Sequence, residues 1–162
     1  MAAIDLALGP ARTILALAAD PDQPSAWIAS LDCHHRRHLR HRPPLSSMPW
    51  LLDPDQRAAR IGAPLECGRC ATREWPEGLE RYRETRMFTD ESVPAGLRAE
   101  HSTKRGVWGR LELDSGQLVL CFAPPHAAHV ELTAGQWAAI PPELPHQLEL
   151  DGPARFRVAF YR

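Results

Sequence analysis

Cys33-His-His-Arg-Arg-His-Leu-Arg-His-Arg42 is answered further along the chain by Cys67-Gly-Arg-Cys70, and the pairing of these two stretches decides how the first half folds. One cysteine with histidines close behind it, followed by a C-x-x-C, offers soft sulfur and borderline nitrogen donors in the combination that suits tetrahedral zinc. The glycine inside the C-x-x-C allows a tight turn that points both sulfurs the same way. Cys33 supplies the third sulfur. The fourth donor is His34, His35 or His38; a C-x-H pair presents both donors from one turn, which favours His35 and keeps His38 as the alternative ligand. On the competing account the cysteines are small buried hydrophobes and the histidines a solvated basic face. Four protein ligands leave no open position, so the expected purpose is stability rather than catalysis. A module of about 75 residues has a thin core, and a closed zinc site can supply roughly 10–16 kcal/mol of apparent binding energy.

The flanking sequence fits a small β-module. Thr13 to Ala19 is a short apolar run, Asp20-Pro-Asp-Gln-Pro is a turn, and Trp27 to Leu31 alternates large with small residues, which predicts a β-hairpin running into Cys33. Residues 1–12 carry little pattern and read as a loosely attached lead-in. Arg42-Pro-Pro ends regular structure, and Asp53-Pro-Asp is an N-cap with proline at the first helical position, predicting a short helix from Pro54 to about Ile61. Arg36, Arg37 and Arg40 interleave with histidines and make a candidate anion-binding patch, with a phosphate backbone as one partner.

Hydrophobic residues make up 44% of the 162 and charged residues 24%, so the chain is globular; a formal net charge of -1 gives no whole-molecule pull toward nucleic acid or lipid. No apolar run is long enough for a membrane helix, and Ile14 to Ala19 is too short for a signal peptide. Three of the four cysteines fall in the metal pattern and Cys121 is alone, which argues against a disulfide framework and for a reducing, cytoplasmic setting.

A domain boundary is expected near residue 76, dividing a zinc module (1–75) from a β-domain (76–162). Glu74 to Pro94 reads as a charged linker or an extended segment lying on the next domain. Beyond His101, short strands are expected at 108–113, 117–122, 130–132, 136–140, 146–150 and 155–161, separated by turns such as Asp114-Ser-Gly, which indicates a sandwich or small barrel. His101 and His146 stand at strand ends, with His126 and His129 between them. Histidines around a barrel mouth suit an open site for a second divalent metal, with Glu131 or Glu143 as further ligands. Glu143, Trp108 and Trp137 are candidate ligand-binding residues, the tryptophans as cavity lining.

Two resemblances extend this reading. Trp27-Ile-Ala-Ser-Leu-Asp-Cys33-His-His35, His38-Leu-Arg-His41-Arg-Pro43-Pro44 and Cys67-Gly-Arg-Cys70 resemble a small bacterial, zinc-ribbon-like family of unknown function, departing where that family has glycine and this chain has His34. His101-Ser-Thr-Lys-Arg-Gly-Val-Trp-Gly-Arg-Leu, Pro142-Glu-Leu-Pro-His146 and Arg155-Phe-Arg-Val-Ala-Phe-Tyr-Arg resemble the cupin-like family of YeaR and of the N-terminal domain of tellurite-resistance TehB proteins. The second resemblance implies a double-stranded β-helix with His101 and His146 matching the family's histidines. It also implies a small-molecule or oxyanion ligand in a tellurite-type or stress response, and pairing of two copies through the cupin. The H-x-H and later glutamate of the usual cupin first motif are missing, because that strand reads Leu118-Val-Leu-Cys-Phe. These 162 residues carry no Gly-rich strand-to-helix motif of the methyltransferase that accompanies this cupin in tellurite-resistance proteins, so methyltransferase activity is not expected of them. The expected class is therefore mainly β: a zinc-ribbon-like module followed by a cupin. The alternatives are a metal-dependent cupin enzyme of oxygenase or isomerase type, and a basic zinc module binding nucleic acid with the cupin as ligand sensor.

Overall fold

A computed structural model describes residues 9–162. Two antiparallel sheets account for most of it, so the chain is mainly β as its strand patterns predict. The first sheet is built from β1 (Ala11–Ala19), β2 (Ala26–Leu31) and β3 (Arg36–Arg40), with β4 (Pro64–Glu66) on the far side of β1. The expected lead-in lies partly outside the described residues, and its last two residues, Ala11 and Arg12, already pair with Glu66 and Leu65. The β1–β2 hairpin falls where apolar periodicity places it. β3 does not: the basic stretch after Cys33 is a strand at the sheet edge, with Leu39 its one buried side chain. A single apolar position cannot display a period of two, and charged edge strands are a usual defence against stray pairing.

Between β3 and β4 run a 3-10 turn (Pro49–Leu52) and α1 (Pro54–Ala59). The Asp53 carboxylate accepts hydrogen bonds from the amides of Asp55 and Gln56 at 2.8 and 3.1 Å, as its N-cap position predicts. A one-turn helix, α2 (Gly68–Ala71), then carries the C-x-x-C.

The charged segment after residue 74 is the extended kind. Its strands β5 (Arg81–Glu84) and β6 (Phe88–Thr89) both pair with the last strand, and a single turn, α3 (Ala95–Arg98), follows. The second sheet is organised on β7 (Trp108–Phe122), which pairs with β8 (Ala128–Thr133), β9 (Trp137–Ile140), β10 (His146–Glu149) and β11 (Ala154–Tyr161). The two strands and the Asp114-Ser-Gly reversal expected over 108–122 are in fact one bent strand. Its first part pairs with β9 and β11 and its second with β8 and β10, so β7 passes from one face of the barrel to the other. Gly116 makes the bend at φ +80°, where an added Cβ would sit 2.0 Å from the Pro153 carbonyl oxygen. Pairing with β11 runs on to Gly116, so the chain bends there without reversing.

Leu111, Leu113, Leu118, Leu120, Phe122, Phe156 and Val158 form the barrel core. The first sheet has its own cluster of Ile14, Leu31, Leu39 and Leu51 with Cys33, Cys67 and Cys70, and this cluster takes in Trp108 and Ala139 from the second sheet. Among the described residues no helix is long and apolar enough to cross a membrane.

Gly116→Ala should destabilise the chain by more than about 2 kcal/mol in urea unfolding, because left-handed strain and a backbone clash add. Gly62→Ala, at φ +85° but with open space around it, should cost only about 1 kcal/mol. Equal losses at the two positions would mean that the bend in β7 does not require glycine.

Candidate metal centre

The turn joining β2 to β3 is closed by His34 N–H donating to the Leu31 carbonyl at 2.9 Å and Leu31 N–H donating to the His35 carbonyl at 3.0 Å. His34 sits at φ +68°, in the left-handed region that glycine enters freely and other residues at a cost of about 1–2 kcal/mol. That accounts for the glycine at this place in the resembling family. Here the histidine makes a compensating contact, its Nε2 lying 3.0 Å from the Gly106 carbonyl oxygen. With His34 turned outward, Cys33 and His35 on either side of it are buried. From the other direction, Cys67 N–H donates to the Pro10 carbonyl and Cys70 N–H to the Cys67 carbonyl, which fixes the turn carrying both sulfurs.

The four side chains Cys33, His35, Cys67 and Cys70 converge with every donor atom within 4.8 Å of the others. His35 Nδ1 lies 3.7, 3.4 and 3.6 Å from the sulfurs of Cys33, Cys67 and Cys70, and the Cys33 and Cys67 sulfurs are 3.8 Å apart. An ion with sulfur at about 2.3 Å and nitrogen at about 2.05 Å requires tetrahedral edges of roughly 3.8 Å between sulfurs and roughly 3.6 Å from sulfur to nitrogen. Three sulfur–nitrogen edges and the Cys33–Cys67 edge already lie close to those lengths. His35 Nε2 lies 2.9 Å from the Glu74 carbonyl, which can only accept, so the ring carries its proton there and turns the Nδ1 lone pair toward the sulfurs.

Without a cation the three thiols compete. Hydrogen bonds from Cys33 and then Cys70 hold Cys67 far below the ordinary thiol range, while the bond to Cys67 pushes Cys33 up to about 11 and the bond to Cys33 pushes Cys70 higher still. A divalent cation ends that competition by stabilising all three thiolates at once. Three thiolates around a dication leave one net negative charge. Arg12, only 3% exposed, supplies a buried positive charge whose field lowers the Cys70 thiol, and its Nε has no hydrogen-bond partner among the described residues. Sequence reasoning missed Arg12, since an arginine beside an apolar run has no distinguishing spacing.

His38, the alternative ligand, lies outside the cluster: its Nδ1 is 3.0 Å from Asp20 Oδ2, on the outer face of β3. The arginine patch is also smaller than expected. Arg36 and Arg40 are exposed, but Arg37 points to the other side of the strand, where Nη1 donates to the Glu66 carbonyl at 2.6 Å. Alternation along a strand divides what looks continuous in sequence.

In the second sheet His101 and His146 are brought together by a two-hydrogen-bond bridge, with ring centroids 4.3 Å apart, on the wall of a cavity of about 560 Å³. Their Nδ1 atoms lie 2.9 and 2.7 Å from the carbonyls of Ala99 and Leu144, so Nε2 is the lone-pair nitrogen on both rings. Burial, reinforced by His101, pushes His146 down to about 4 and keeps it neutral. Other residues expected here lie elsewhere. Glu143 forms an ion pair with Arg12 at 3.4 Å, and Arg12 Nη2 also donates to the Pro142 carbonyl at 2.6 Å. Trp108 is fully buried beside the cysteines, donating Nε1–H to the Cys33 carbonyl at 2.9 Å, because the first residue of β7 faces the first sheet's cluster. Trp137 is 43% exposed and stacks edge-on against Trp75. His129 pairs with Cys121 and lines a smaller recess, while neither His126 nor Glu131 reaches the large cavity. Among the described residues the three-cysteine cluster is the one group of three or more metal-type side chains that converges.

Comparison with known proteins divides the chain in the same way. Residues 19–74 match the family model described as Protein of unknown function (DUF3565), and residues 83–158 match the TehB-like domain. No curated protein matches the chain. Among solved structures, a protein from E. coli (strain K12) is similar at 28% identity over 55% of this chain and 95% of its own, with a TM-score of 0.50. TehB from Haemophilus influenzae is similar at 23% identity over 52% of this chain and 32% of its own, with a TM-score of 0.46. A cupin-2 domain containing protein from Shewanella frigidimarina is similar at 15% identity over 50% and 64%, with a TM-score of 0.34.

Two outcomes follow from this geometry. Chelation should raise amide exchange around Cys33 and Cys67 and also over residues 104–108, since that segment is gripped by the turn holding Cys33; a rise confined to residues before 80 would show the two sheets uncoupled. For His146, the unfolded chain takes up a proton below about pH 6.5 that the folded chain refuses until about pH 4, so stability falls as pH drops through that window. His146→Gln removes this contribution, and the stability gap between wild type and variant should shift by about 2 kcal/mol in the variant's favour between pH 7 and pH 5. Parallel pH curves would contradict the assignment.

Proposed function

We propose that the chain is a two-module metal-binding protein. One structural zinc holds the first module, and the cupin-like second module keeps a small ligand or a divalent metal between His101 and His146, in an oxyanion or tellurite-type stress response. The observation that carries this reading is the agreement between the Cys33, His35, Cys67 and Cys70 separations and the edges of a zinc tetrahedron. The set is closed, since all four positions are protein ligands and His35 is steadied by the Glu74 carbonyl, and a closed set stabilises rather than reacts. The TehB-like match supports placing the second module in the resistance or stress setting.

A second reading, a metal-dependent enzyme, is favoured by one observation. His101 and His146 both have their Nδ1 protons committed to backbone carbonyls, which leaves two Nε2 donors for an ion with open positions.

Metal analysis tests the first reading and separates it from the second. Purified chain should carry close to one zinc that survives mild chelation, and a Cys67→Ser, Cys70→Ser double variant should lose it along with several kcal/mol of stability. A double variant that melts unchanged and keeps its metal would remove the proposal. A second metal that mild chelation strips, and that His146→Gln eliminates, would exclude a module holding only a small ligand, and turnover lost with that metal would favour the enzyme.

A further inference from the structure

The cavity that His101 and His146 share has a chemical character that neither reading uses. Leu111, Val158 and Phe160 contribute apolar wall, and the first two belong to the barrel core, so the opening reaches an apolar interior. The charged residues that line it are all cationic, Arg83, Lys104, Arg105 and Arg162, with no aspartate or glutamate among them. Two of the four are already engaged: Arg105 Nε is 2.7 Å from Asp32 Oδ2, and Arg162 lies over the Tyr82 ring at 4.5 Å. Arg83 and Lys104 have no acidic partner among the described residues.

An apolar cavity of about 560 Å³ is of small-molecule size, and its lining discriminates by charge. A cationic ligand meets the like charges of Arg83, Lys104 and Arg162, with only Arg105 neutralised by Asp32. A neutral hydrocarbon fills the interior but gains nothing from Arg83 and Lys104, which are exposed and solvated. A bare inorganic oxyanion satisfies the cations and leaves the apolar wall wet. An organic anion satisfies both.

We propose that this cavity binds a monocarboxylate with an apolar chain or ring of roughly six to ten carbons, its hydrocarbon against Leu111, Val158 and Phe160 and its carboxylate held by Arg83 and Lys104. The proposal rests on the reading that the second module holds a small ligand, and it names the class of that ligand. His101 and His146 then form a polarizable side of the cavity, where a lone-pair Nε2 accepts a hydrogen bond from any hydroxyl the ligand carries.

Calorimetric titration of the zinc-loaded full chain with octanoate, 1-octanol, octylammonium and tellurite tests it. Octanoate should bind at one saturable site, octanol about tenfold more weakly or worse, and octylammonium and tellurite not measurably at that site. An Arg83→Ala, Lys104→Ala double variant should weaken octanoate by about tenfold and leave octanol unchanged. Val107→Trp, which fills the cavity, should abolish binding of both while zinc content and melting temperature hold. Octanol binding as tightly as octanoate, or octanoate insensitive to the double variant, would overturn the anion class and leave a small-ligand module standing. Tellurite binding in the cavity with octanoate excluded would overturn it in favour of an inorganic oxyanion. No binding by any probe to a chain that keeps its zinc and its melting temperature would remove both the class and the small-ligand reading beneath it.

Discussion

Three sulfurs and an imidazole nitrogen occupy the corners of a tetrahedron whose edges are 3.4 to 3.8 Å wherever a contact is made, and the first half of the chain takes its form from that crowding. Thiols packed so closely cannot all ionise on their own, and a neutral set gains only weak sulfur hydrogen bonds. A dication of zinc's size reverses the balance. Its binding, roughly 10–16 kcal/mol in small zinc domains, is as large as the whole stability of an ordinary domain at about 5–15 kcal/mol. The three cysteines sit inside the first sheet's apolar cluster with Ile14, Leu31, Leu39, Leu51 and Trp108, so such an ion would add to that packing. On the proposed reading the hairpin and the C-x-x-C turn are arms positioned by the ion their donors would hold.

The grip extends past the first sheet. Each residue of the turn from Asp32 to His34 makes a bond to the second: the Asp32 carboxylate with Arg105, the Cys33 carbonyl with Trp108, the His34 ring with the Gly106 carbonyl. Arg12 makes the same connection on the other side, through Pro142 and Glu143. The segments so held, 101–107 and 141–145, are those that end at His101 and His146 or border their cavity. The cysteine turn and Arg12 are thus bonded directly to the segments that flank the second site. Glu143 and Trp108, expected as ligand residues, serve this connection instead.

What could be read from sequence depended on whether a residue's role leaves a spacing behind. C-x-H and C-x-x-C do, because one turn must aim two donors. The apolar alternation of β2 and the Asp53-Pro54 helix start do as well. β3 left no such trace, since Leu39 is its one buried residue. The bend at Gly116 looked like a hairpin because glycine after Asp-Ser serves either purpose, and only pairing with β11 distinguishes them. Arg12 and Trp75 act across distances that local sequence does not encode, one beside Cys70 and one stacked on Trp108, Trp137 and Tyr161. The cationic lining of the cavity was illegible for the same reason, as Arg83, Lys104 and Arg162 meet only when β5, the 101–107 segment and the chain end are assembled.

The two sites differ in a way that bears on what each can do. In the first, every donor is buried and directed at a common centre, the buried Arg12 guanidinium lowers the Cys70 thiol through its field, and four protein donors complete the set. In the second, two imidazoles, that of His146 held neutral by burial, face an opening they share with apolar side chains, and no carboxylate joins them. Two nitrogens without an anionic ligand bind a dication weakly compared with three thiolates, and the surrounding arginines and lysine oppose a dication further. The same cations favour an anion, and the apolar wall favours a hydrocarbon. The cationic and apolar lining that supports the proposal of an organic anion in the second cavity is thus the same lining a resident metal there would have to overcome.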